Sequence, residues 1–348
     1  MSGPQKKINI SDFLRLAAEY PVIDVRSPSE YNHGHIPGAI NIPLFDDRER
    51  ETVGILYKNE GRIKAILKGL ELASSDMSSK LERAIAVSKE SRLLVHCWRG
   101  GMRSEAMAWL FSLGDIHTEI LEGGYKSYRH FVLEKVDEKR SYIILGGLTG
   151  SGKTDILKYL AAGGHRVIDL EGMACHKGSA FGSLGQPPQP TSEHFANILA
   201  DELRRLDGDR PVWLEDESKS IGTVFMPDGF YKNMRESKVI ALIMDVKTRI
   251  PRLLKEYSAH SKDELIRSVQ KISKRLGGDN ARESVESIMS GDFTRAIEIT
   301  LEYYDKTYLF GLKERPGKNI RYVETDTDDV ILNSGKVLKA AEEIVRVE

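Results

Sequence analysis

The chain has 348 residues, of which 40% are hydrophobic and 30% are charged, and its formal net charge is −1. This length predicts two domains of about 150 to 200 residues each, and the composition excludes an intrinsically disordered chain. No apolar run approaches the ~18 residues that a membrane-spanning helix needs, and the near-neutral charge neither favours nor excludes a nucleic-acid partner.

The first third of the chain alternates short apolar runs with amphipathic stretches. Apolar residues at helical spacing predict a helix over 10–19, and a second helix is predicted over 104–113. Apolar runs predict strands at 21–25, 93–97 and 119–124. Strands that alternate with helices indicate a parallel sheet covered on both faces, so we predict an α/β fold.

A charged stretch at 134–140 follows, and it is either a domain boundary or the exposed end of a helix. We place the boundary there, which gives predicted domains 1–137 and 138–348. The second part again predicts an α/β domain, with a helical segment at 248–312 and a Gly- and Pro-rich loop at 178–190 that is a candidate lid. Its predicted strands are 142–146, 165–169, 211–215, 239–245 and 320–324.

Two cysteines, Cys97 and Cys175, are too few for a disulfide framework or a four-cysteine zinc site. The first residues place no apolar segment behind their lysines, so we expect no signal peptide. We therefore expect a cytoplasmic location, where thiols stay reduced. Cys175 lacks the glycine- and arginine-rich setting of Cys97, and we predict that it takes no part in the chemistry.

The loop after the strand at 93–97 is the first predicted site. A loop between a strand and a helix aims backbone N–H groups at one point and stabilises an anion there. A cysteine in such a cradle ionises below its usual pKa of about 8.5, so we predict that Cys97 acts as a nucleophilic thiolate. The residues assigned to this site are Cys97, Arg99, Gly100, Gly101 and Arg103.

The spacing Cys-x5-Arg-Ser permits two chemistries, since it occurs in cysteine phosphatases and resembles the active loop of rhodaneses. The segments 23–31 and 33–43 resemble the N-terminal signature of rhodanese domains. That resemblance implies structural roles for Asp24 and Arg26. Many single-domain rhodaneses have one residue fewer in the loop, so we hypothesise a phosphate-bearing or selenium-bearing donor here.

The segment 147–154 matches G-x-x-x-x-G-K-[ST] between a predicted strand and a predicted helix, which is the context that a phosphate loop requires. Lys153 would neutralise terminal phosphates, and the Thr154 hydroxyl would reach a Mg²⁺, if one binds, together with Asp216 or Asp169. Glu171, Glu215 and Glu217 are further candidates for the second carboxylate, and for each acid a solvated position at a strand end is an equal alternative. The loop binds phosphate without specifying the rest of the ligand. Its predicted phosphate-binding residues are Gly147, Gly150, Ser151, Gly152, Lys153 and Thr154. Residues assigned to a surrounding shell or substrate loop are Asp169, Glu171, His176, Ser179, Glu215 and Asp216.

Between 246 and 280 there are nine basic and four acidic residues. On one helical face these would bind an RNA backbone, and an ordinary solvated helix is the equal alternative. Tyr303, Tyr304 and Tyr308 have near-helical spacing, which is more typical of core residues than of a base-stacking surface.

A rhodanese signature joined to a phosphate loop resembles the tRNA 2-selenouridine synthases over essentially the whole chain. This family replaces the sulfur of wobble 2-thiouridine in tRNA with selenium from selenophosphate, through an S-geranyl intermediate made from geranyl diphosphate. The motifs that carry the resemblance lie at 97–104, 122–126, 147–154, 169–172, 176–182 and 214–218.

The resemblance implies a transferase in which Cys97 serves the selenium step and the phosphate loop holds the diphosphate of the prenyl donor. It implies no tightly bound cofactor, permits Mg²⁺, and places an apolar pocket for the geranyl chain near 147–154. The expected partners are tRNA with wobble 2-thiouridine and an enzyme that supplies selenophosphate. Three alternatives stay open: an ATP-dependent rhodanese-type tRNA sulfurtransferase, a cysteine phosphatase, and a nucleotide-sensing regulatory module.

Overall fold

The computed structural model describes residues 6–206, 208, 210–315 and 319–346. The chain divides into two compact units, one formed by Met1–Lys135 with Ala196–Asp201 and the other by Val136–Phe195 with Glu202–Glu348. The first division falls inside the charged stretch 134–140, whereas the assignment of 196–201 to the N-terminal unit was not predicted. Among the described residues, no helix combines the length and apolar character needed to cross a bilayer.

The N-terminal unit is built on a five-stranded parallel sheet in the order β1-β5-β4-β2-β3. The predicted α/β fold and the strands predicted at 21–25, 93–97 and 119–124 are confirmed. The apolar residues of the central strands are fully buried, as a sheet covered on both faces requires. The strands are β1 Lys6–Ile8, β2 Val22–Asp24, β3 Ile40–Asn41, β4 Arg92–His96 and β5 His117–Leu121. The helices are α1 Ile10–Leu16, α2 Pro28–His33, α3 Asp47–Asn59, α4 Arg62–Ala73, α5 Met77–Val87, α6 Met102–Ser112 and α7 Gly124–Asp137.

The C-terminal unit has a second five-stranded parallel sheet, in the order β12-β11-β6-β8-β7. All five predicted strands are confirmed, and a two-residue antiparallel pair, β9 with β10, was not predicted. The first strand of this unit, β6, lies at the centre of the sheet, so the loop that follows it opens between two neighbouring strand ends. The strands are β6 Tyr142–Gly147, β7 Arg166–Ile168, β8 Val212–Glu215, β9 Ser220–Ile221, β10 Val224–Phe225, β11 Lys238–Met244 and β12 Ile320–Thr325.

The predicted helical segment at 248–312 is confirmed and consists of four consecutive helices. Their apolar faces form one core, which includes Leu253, Leu265, Val269 and Ile297. The helices are α12 Val246–Tyr257, α13 Lys262–Leu276, α14 Gly278–Ser290 and α15 Phe293–Lys313. The other helices of this unit are α8 Lys153–Ala162, α9 Leu170–Met173, α10 Ser192–Arg205, α11 Asp228–Glu236 and α16 Val330–Arg346, of which α10 is shared with the N-terminal unit.

The loop at 178–190 is irregular as predicted, but a free lid is wrong for its middle part. Phe181 is buried in the helical core, with its ring centroid 4.6 Å from that of Tyr257. The backbone N–H of Ala180 donates to the Tyr304 hydroxyl over 2.9 Å. The glycines and prolines correctly indicated a loop. They could not indicate that Phe181 anchors it, because the ring that Phe181 contacts, Tyr257, lies 76 positions further along the chain.

Candidate active site

Cys97 follows β4 directly and begins a loop, residues 97–101, that ends at the N-terminus of α6; we call it the Cys97 loop. Its thiol is 4% exposed, while Trp98 and Arg99 are exposed. Gly100 has φ +65°, and a Cβ there would lie 2.3 Å from the Leu121 carbonyl oxygen. Glycine is therefore required at 100, because any side chain would collide with the backbone of β5.

A Gly-Gly turn at 123–124 holds the Cys97 loop from behind. The backbone N–H of Tyr125 donates to the Cys97 carbonyl over 2.8 Å, and that of Lys126 donates to the Trp98 carbonyl over 3.0 Å. At Gly124, where φ is +60°, a Cβ would lie 2.4 Å from both the Cys97 oxygen and the Gly100 nitrogen. The two segments thus pack backbone against backbone, which fixes the shape of the loop.

Gly124→Ala is expected to destabilise the N-terminal unit by about 2–5 kcal/mol, because it combines a left-handed conformation with a backbone overlap. Hydrogen exchange of the β4 amides measures this change. Gly101→Ala is the matched control, since Gly101 has φ −107° and open space where a Cβ would be added. Equal effects of the two substitutions would contradict the packing argument.

The environment of Cys97 favours its thiolate. Burial acts to raise the pKa of the thiol, but the Ser104 hydroxyl, the charge of Arg103 and the backbone N–H of Arg99 outweigh burial and bring the pKa below its ordinary value. The Ser104 Oγ lies 3.3 Å from the Cys97 Sγ. It also lies 2.9 Å from the Gly101 carbonyl, to which it donates. Since a hydroxyl carries one proton, Ser104 must turn from the carbonyl to the sulfur when the thiol ionises.

Ser104→Ala is expected to raise the pKa of Cys97 by about one to two pH units, because a hydrogen bond to a charged group is lost. The thiolate fraction at neutral pH then falls. The thiolate ultraviolet absorbance, taken as a difference from Cys97→Ala, gives the midpoint. Ser112→Ala is the control on the same helix, since its hydroxyl donates to the Trp109 carbonyl and to no other group in the described part of the chain. An unchanged midpoint in Ser104→Ala would remove the hydroxyl from thiolate stabilisation.

Arg103 is positioned by Glu30, an acid that the sequence analysis missed. The two side chains form an ion pair of 2.6 Å, and Arg50 lies 3.6 Å from the same carboxylate. Burial acts to raise the pKa of Glu30, but the hydrogen bond and charge of Arg103 hold it below its ordinary value. Glu30 also closes the capping box of α2 with Ser27, so the guanidinium of Arg103 is tied to a rigid helix end.

Behind the loop, Asp24 and Arg26 form a buried ion pair of 2.6 Å, which confirms their expected structural role. Arg26 also donates to the Gly34 carbonyl over 2.7 Å and lies 3.7 Å from the centroid of the Tyr125 ring. Burial lowers the pKa of His96 to about 4, so this histidine is neutral. The layer beneath Cys97 is therefore fixed by pairing and packing, and its histidine carries no charge at neutral pH.

The phosphate loop, residues 147–154, connects β6 to α8. Gly147, Gly150 and Gly152 all have positive φ, and Ser151 is buried, with its hydroxyl unpartnered among the described residues. The Lys153 ammonium donates to the carbonyl of Gly147 over 2.8 Å. The lysine therefore lies across the loop in the position from which it would contact a bound phosphate.

One basic residue of the 246–280 segment supports this loop from behind. Arg249 is 1% exposed and donates to the Thr149 carbonyl over 3.0 Å and to Asp305 over 2.9 Å. Arg249 therefore fits neither of the two alternatives for this segment, an RNA-binding face or a solvated helix surface. Arg267, Lys271 and Lys274 are exposed on α13 with a helical repeat, and their contact with RNA stays a prediction.

The acid beside Thr154 is Glu171, whose Oε2 is 3.5 Å from the Thr154 Oγ1. Burial and then the charge of Glu171 raise the pKa of Glu217 well above its ordinary value, so Glu217 belongs to the same cluster. Burial, and next the charge of Asp169, raise the pKa of Glu215 to about 8. Glu215 is therefore protonated at neutral pH, and it accepts the backbone N–H of Leu170 over 2.9 Å.

The two acids predicted to share a Mg²⁺ with Thr154 have other contacts. Asp169 caps α9 by accepting the backbone N–H of Gly172 over 2.6 Å. Asp216 is ion-paired with the buried Arg315 and lies 3.3 Å from the Tyr308 hydroxyl. Thr154 and Glu171 have the hydroxyl and carboxylate oxygens that Mg²⁺ prefers. In the described part of the chain no three His, Cys, Asp or Glu residues converge as a metal site, so phosphate and water oxygens would complete the coordination.

The predicted substrate loop covers this acidic cluster with its backbone. A Cβ added at Gly178 would lie 2.6 Å from the Glu217 Oε1 and 3.1 Å from the Glu171 Oε1. His176 is 8% exposed, and burial, followed by the charge of Lys271, lowers its pKa. The Ser179 hydroxyl accepts the backbone N–H of Phe181 over 3.2 Å. His176 and Ser179 thus contribute to the shape of the loop. Tyr303 and Tyr304 pack against the helical core, as their spacing indicated, whereas the Tyr308 hydroxyl contacts Asp216.

The two units match two family models. A model described as the tRNA 2-selenouridine synthase AAA domain matches residues 140–334, and one described as a rhodanese-like domain matches 10–130. Curated relatives with the name tRNA 2-selenouridine synthase include one from Nitrosomonas europaea, 33% identical over 88% of this chain and 93% of the relative. Others are from Bordetella petrii (35%, covering 89% and 90%) and Shewanella piezotolerans (35%, covering 90% and 94%).

The chain belongs to the tRNA 2-selenouridine synthase family. The region that matches the rhodanese-like model contains the Cys97 loop and Glu30. The region that matches the AAA model contains the phosphate loop, Glu171 and Glu217. The sequence motifs located both loops correctly. Ser104 is the last residue of the Cys-x5-Arg-Ser motif, but no role was assigned to it from the sequence. The contact between Glu30 and Arg103 could not be inferred, because it joins residues 73 positions apart.

Proposed function

We propose that this protein exchanges the 2-sulfur of wobble 2-thiouridine in tRNA for selenium, using selenophosphate and geranyl diphosphate. The observation that carries the proposal is the presence in one chain of a buried thiol with a lowered pKa and of a phosphate loop spanned by its lysine. A sulfurtransferase reaction at Cys97 alone would need no second anion-binding site. Exchange of sulfur for selenium in two steps needs two sites, one where diphosphate departs and one where geranylthiolate departs.

The first step alkylates sulfur at the phosphate loop. The thiocarbonyl sulfur forms a bond to C1 of geranyl diphosphate, the C1–O bond breaks, diphosphate departs with the electron pair, and the N3 proton of the base is lost. Lys153 and the backbone N–H groups of the loop stabilise the charge that grows on the diphosphate. Thr154 and Glu171 would hold a Mg²⁺ on the same phosphates. Alkylation turns sulfur into a group that can depart as a thiolate.

The second step takes place at the Cys97 loop. The selenium of selenophosphate forms a bond to C2, the C2–S bond breaks, and geranylthiolate leaves and takes a proton. The Cys97 thiolate then attacks phosphorus, and the P–Se bond breaks with its electron pair on selenium, which leaves 2-selenouridine. Water hydrolyses the phosphocysteine to phosphate and the thiol. No atom changes oxidation state, whereas a perselenide on Cys97 would require the release of phosphite.

The proposed partners are tRNA with wobble 2-thiouridine and an enzyme that supplies selenophosphate, in the cytoplasm. The exposed basic residues of α13 are the proposed contact for the RNA backbone, since they repeat along one helix. No tightly bound cofactor is part of the scheme.

Mass analysis of nucleosides tests the proposal. A 2-thiouridine RNA is incubated with the protein, geranyl diphosphate and selenophosphate, and each is omitted in turn. We expect 2-selenouridine with both co-substrates, S-geranyl-2-thiouridine when selenophosphate is omitted, and unchanged RNA when geranyl diphosphate is omitted. Formation of 2-selenouridine without geranyl diphosphate would refute the two-step scheme.

The Ser104–Cys97 contact favours a second candidate, a cysteine phosphatase, because a hydroxyl next to the sulfur also suits a phosphocysteine intermediate. Turnover of p-nitrophenyl phosphate that is lost in Cys97→Ala would support it. Absence of turnover, with selenouridine formed, would exclude it.

A further inference from the structure

A cavity of about 540 Å³ lies in the N-terminal unit between α3, α4 and the first turn of α6. Its wall includes the apolar residues Leu44, Phe45, Val53, Ala65, Leu70 and Ala73. Its size falls within the range of about 300–1,000 Å³ that is typical of small-ligand sites. An apolar cavity of this size next to a catalytic loop favours a hydrocarbon ligand.

The charged residues among those that line the cavity are Arg50 and Arg103. Both contact Glu30, and Arg103 is also one of the groups that lower the pKa of Cys97. Met102, which follows the Cys97 loop, lines the cavity too. The cavity therefore begins where the Cys97 loop ends, and its cationic residues lie on the side of the predicted anion site. A ligand that fits both features has an apolar chain, which the cavity would bury, attached to a group that reacts at the Cys97 loop.

We infer that this cavity binds the geranyl chain of S-geranyl-2-thiouridine during the selenium step, and releases it as the thiol. The inference rests on the proposed function and deepens it. Burial of the chain would fix the C2–S bond at the Cys97 loop, so that only alkylated bases are held there for exchange. The sequence analysis placed an apolar pocket for the geranyl chain near 147–154, where it would serve the alkylation step. The cavity described here lies at the Cys97 loop, where it would serve the selenium step.

Two exposed leucines of α4 offer a matched test. Leu70 lines the cavity and is 58% exposed, whereas Leu67 is 62% exposed and lies outside the lining. Leu70→Asp therefore places a carboxylate at the rim of the cavity, and Leu67→Asp makes the same change elsewhere on the helix. Neither replaces a buried side chain, so both variants should fold.

The measurement is the Kd of the full-length protein for a short RNA that carries S-methyl-, S-dimethylallyl- or S-geranyl-2-thiouridine, without co-substrates. In the wild type we expect affinity to increase with chain length, by up to about fourfold for each methylene buried. Leu70→Asp should bind the S-geranyl RNA at least ~10-fold more weakly and leave the Kd of the S-methyl RNA unchanged. Leu67→Asp should resemble the wild type.

Affinity that does not depend on chain length, or equal effects of the two aspartates, would overturn the inference. Ala65→Phe, which fills the cavity from its wall, should flatten the same dependence in a protein whose circular dichroism is native. Since binding is measured without selenophosphate, the two proposals fail separately. Chain-dependent binding without selenouridine formation contradicts the proposed function alone, and selenouridine formation with chain-independent binding contradicts the cavity alone.

Discussion

Cys97→Ala is expected to reduce formation of 2-selenouridine at least ~1,000-fold, the order of effect seen when a covalent nucleophile is removed. S-geranyl-2-thiouridine should still form and accumulate, because the phosphate loop is a separate site with its own lysine. The measurement is the mass analysis of nucleosides over time, with both co-substrates present. Trapping of wild-type protein with selenophosphate and S-geranyl RNA should show phosphorus, without the isotope pattern of selenium, on Cys97.

Cys175→Ser is the control for Cys97→Ala, since both remove a free thiol. We expect it to retain 2-selenouridine formation. Two outcomes would contradict the assignment: wild-type selenouridine in Cys97→Ala, or the absence of any geranylated nucleoside in that variant. A selenium isotope pattern on Cys97 would instead show that the sulfur carries selenium.

Lys153→Ala should decrease S-geranylation of 2-thiouridine RNA about 100- to 1,000-fold, the range for removal of one preorganised donor from a developing negative charge. The same variant should convert RNA that is already S-geranylated, because that step needs only the Cys97 loop. Lys158→Ala provides the control, as Lys158 is an exposed lysine of the same helix. Chromatography of the geranylated and selenated nucleosides from the two starting RNAs measures both steps.

Geranylation at the wild-type rate in Lys153→Ala would remove the phosphate loop from the first step. The lysine also hydrogen-bonds the Gly147 carbonyl, so its loss could act through the shape of the loop. Lys153→Arg keeps a charge there with different geometry. If Lys153→Arg binds geranyl diphosphate like the wild type but transfers the geranyl group slowly, then the position of the side-chain charge relative to the departing diphosphate matters as well as its sign.

The three inner strands of the N-terminal sheet and all five strands of the C-terminal sheet were predicted, because parallel strands buried on both faces are short apolar runs. The short edge strands β1 and β3 were not predicted. The helices α3, α4 and α5 were not predicted. Large apolar residues on α3 and α4, such as Ile55 and Leu67, are exposed. α3 buries no residue, and the buried stripe of α4 consists of the small residues Ala65, Gly69 and Ala73, so neither helix has the stripe of large apolar residues on which periodicity depends. The same departure from the usual pattern creates the cavity between them.

The parts of the candidate sites that consist of residues close together in the sequence were predictable. The Cys97 loop and the phosphate loop depend on residues within eight positions, and their spacing is visible in the chain. Glu30 meets Arg103 across 73 positions, and Arg249 meets Thr149 across 100. Such pairs depend on which elements pack together. For the same reason the sequence could not show which of the five candidate acids lies beside the Thr154 hydroxyl.

The Cys97 loop and the Gly-Gly turn meet through peptide groups, with no side chain between them. The shape of the cradle therefore depends little on the exposed side chain of Arg99, whereas the ring of Trp98 packs with its centroid 5.8 Å from that of Tyr125. We therefore expect a substitution of Arg99 to leave the backbone of the cradle and the position of the Cys97 sulfur unchanged. A library of variants intended to change the anion that the cradle accepts would begin at Arg99 and leave Gly100 and Gly124 untouched.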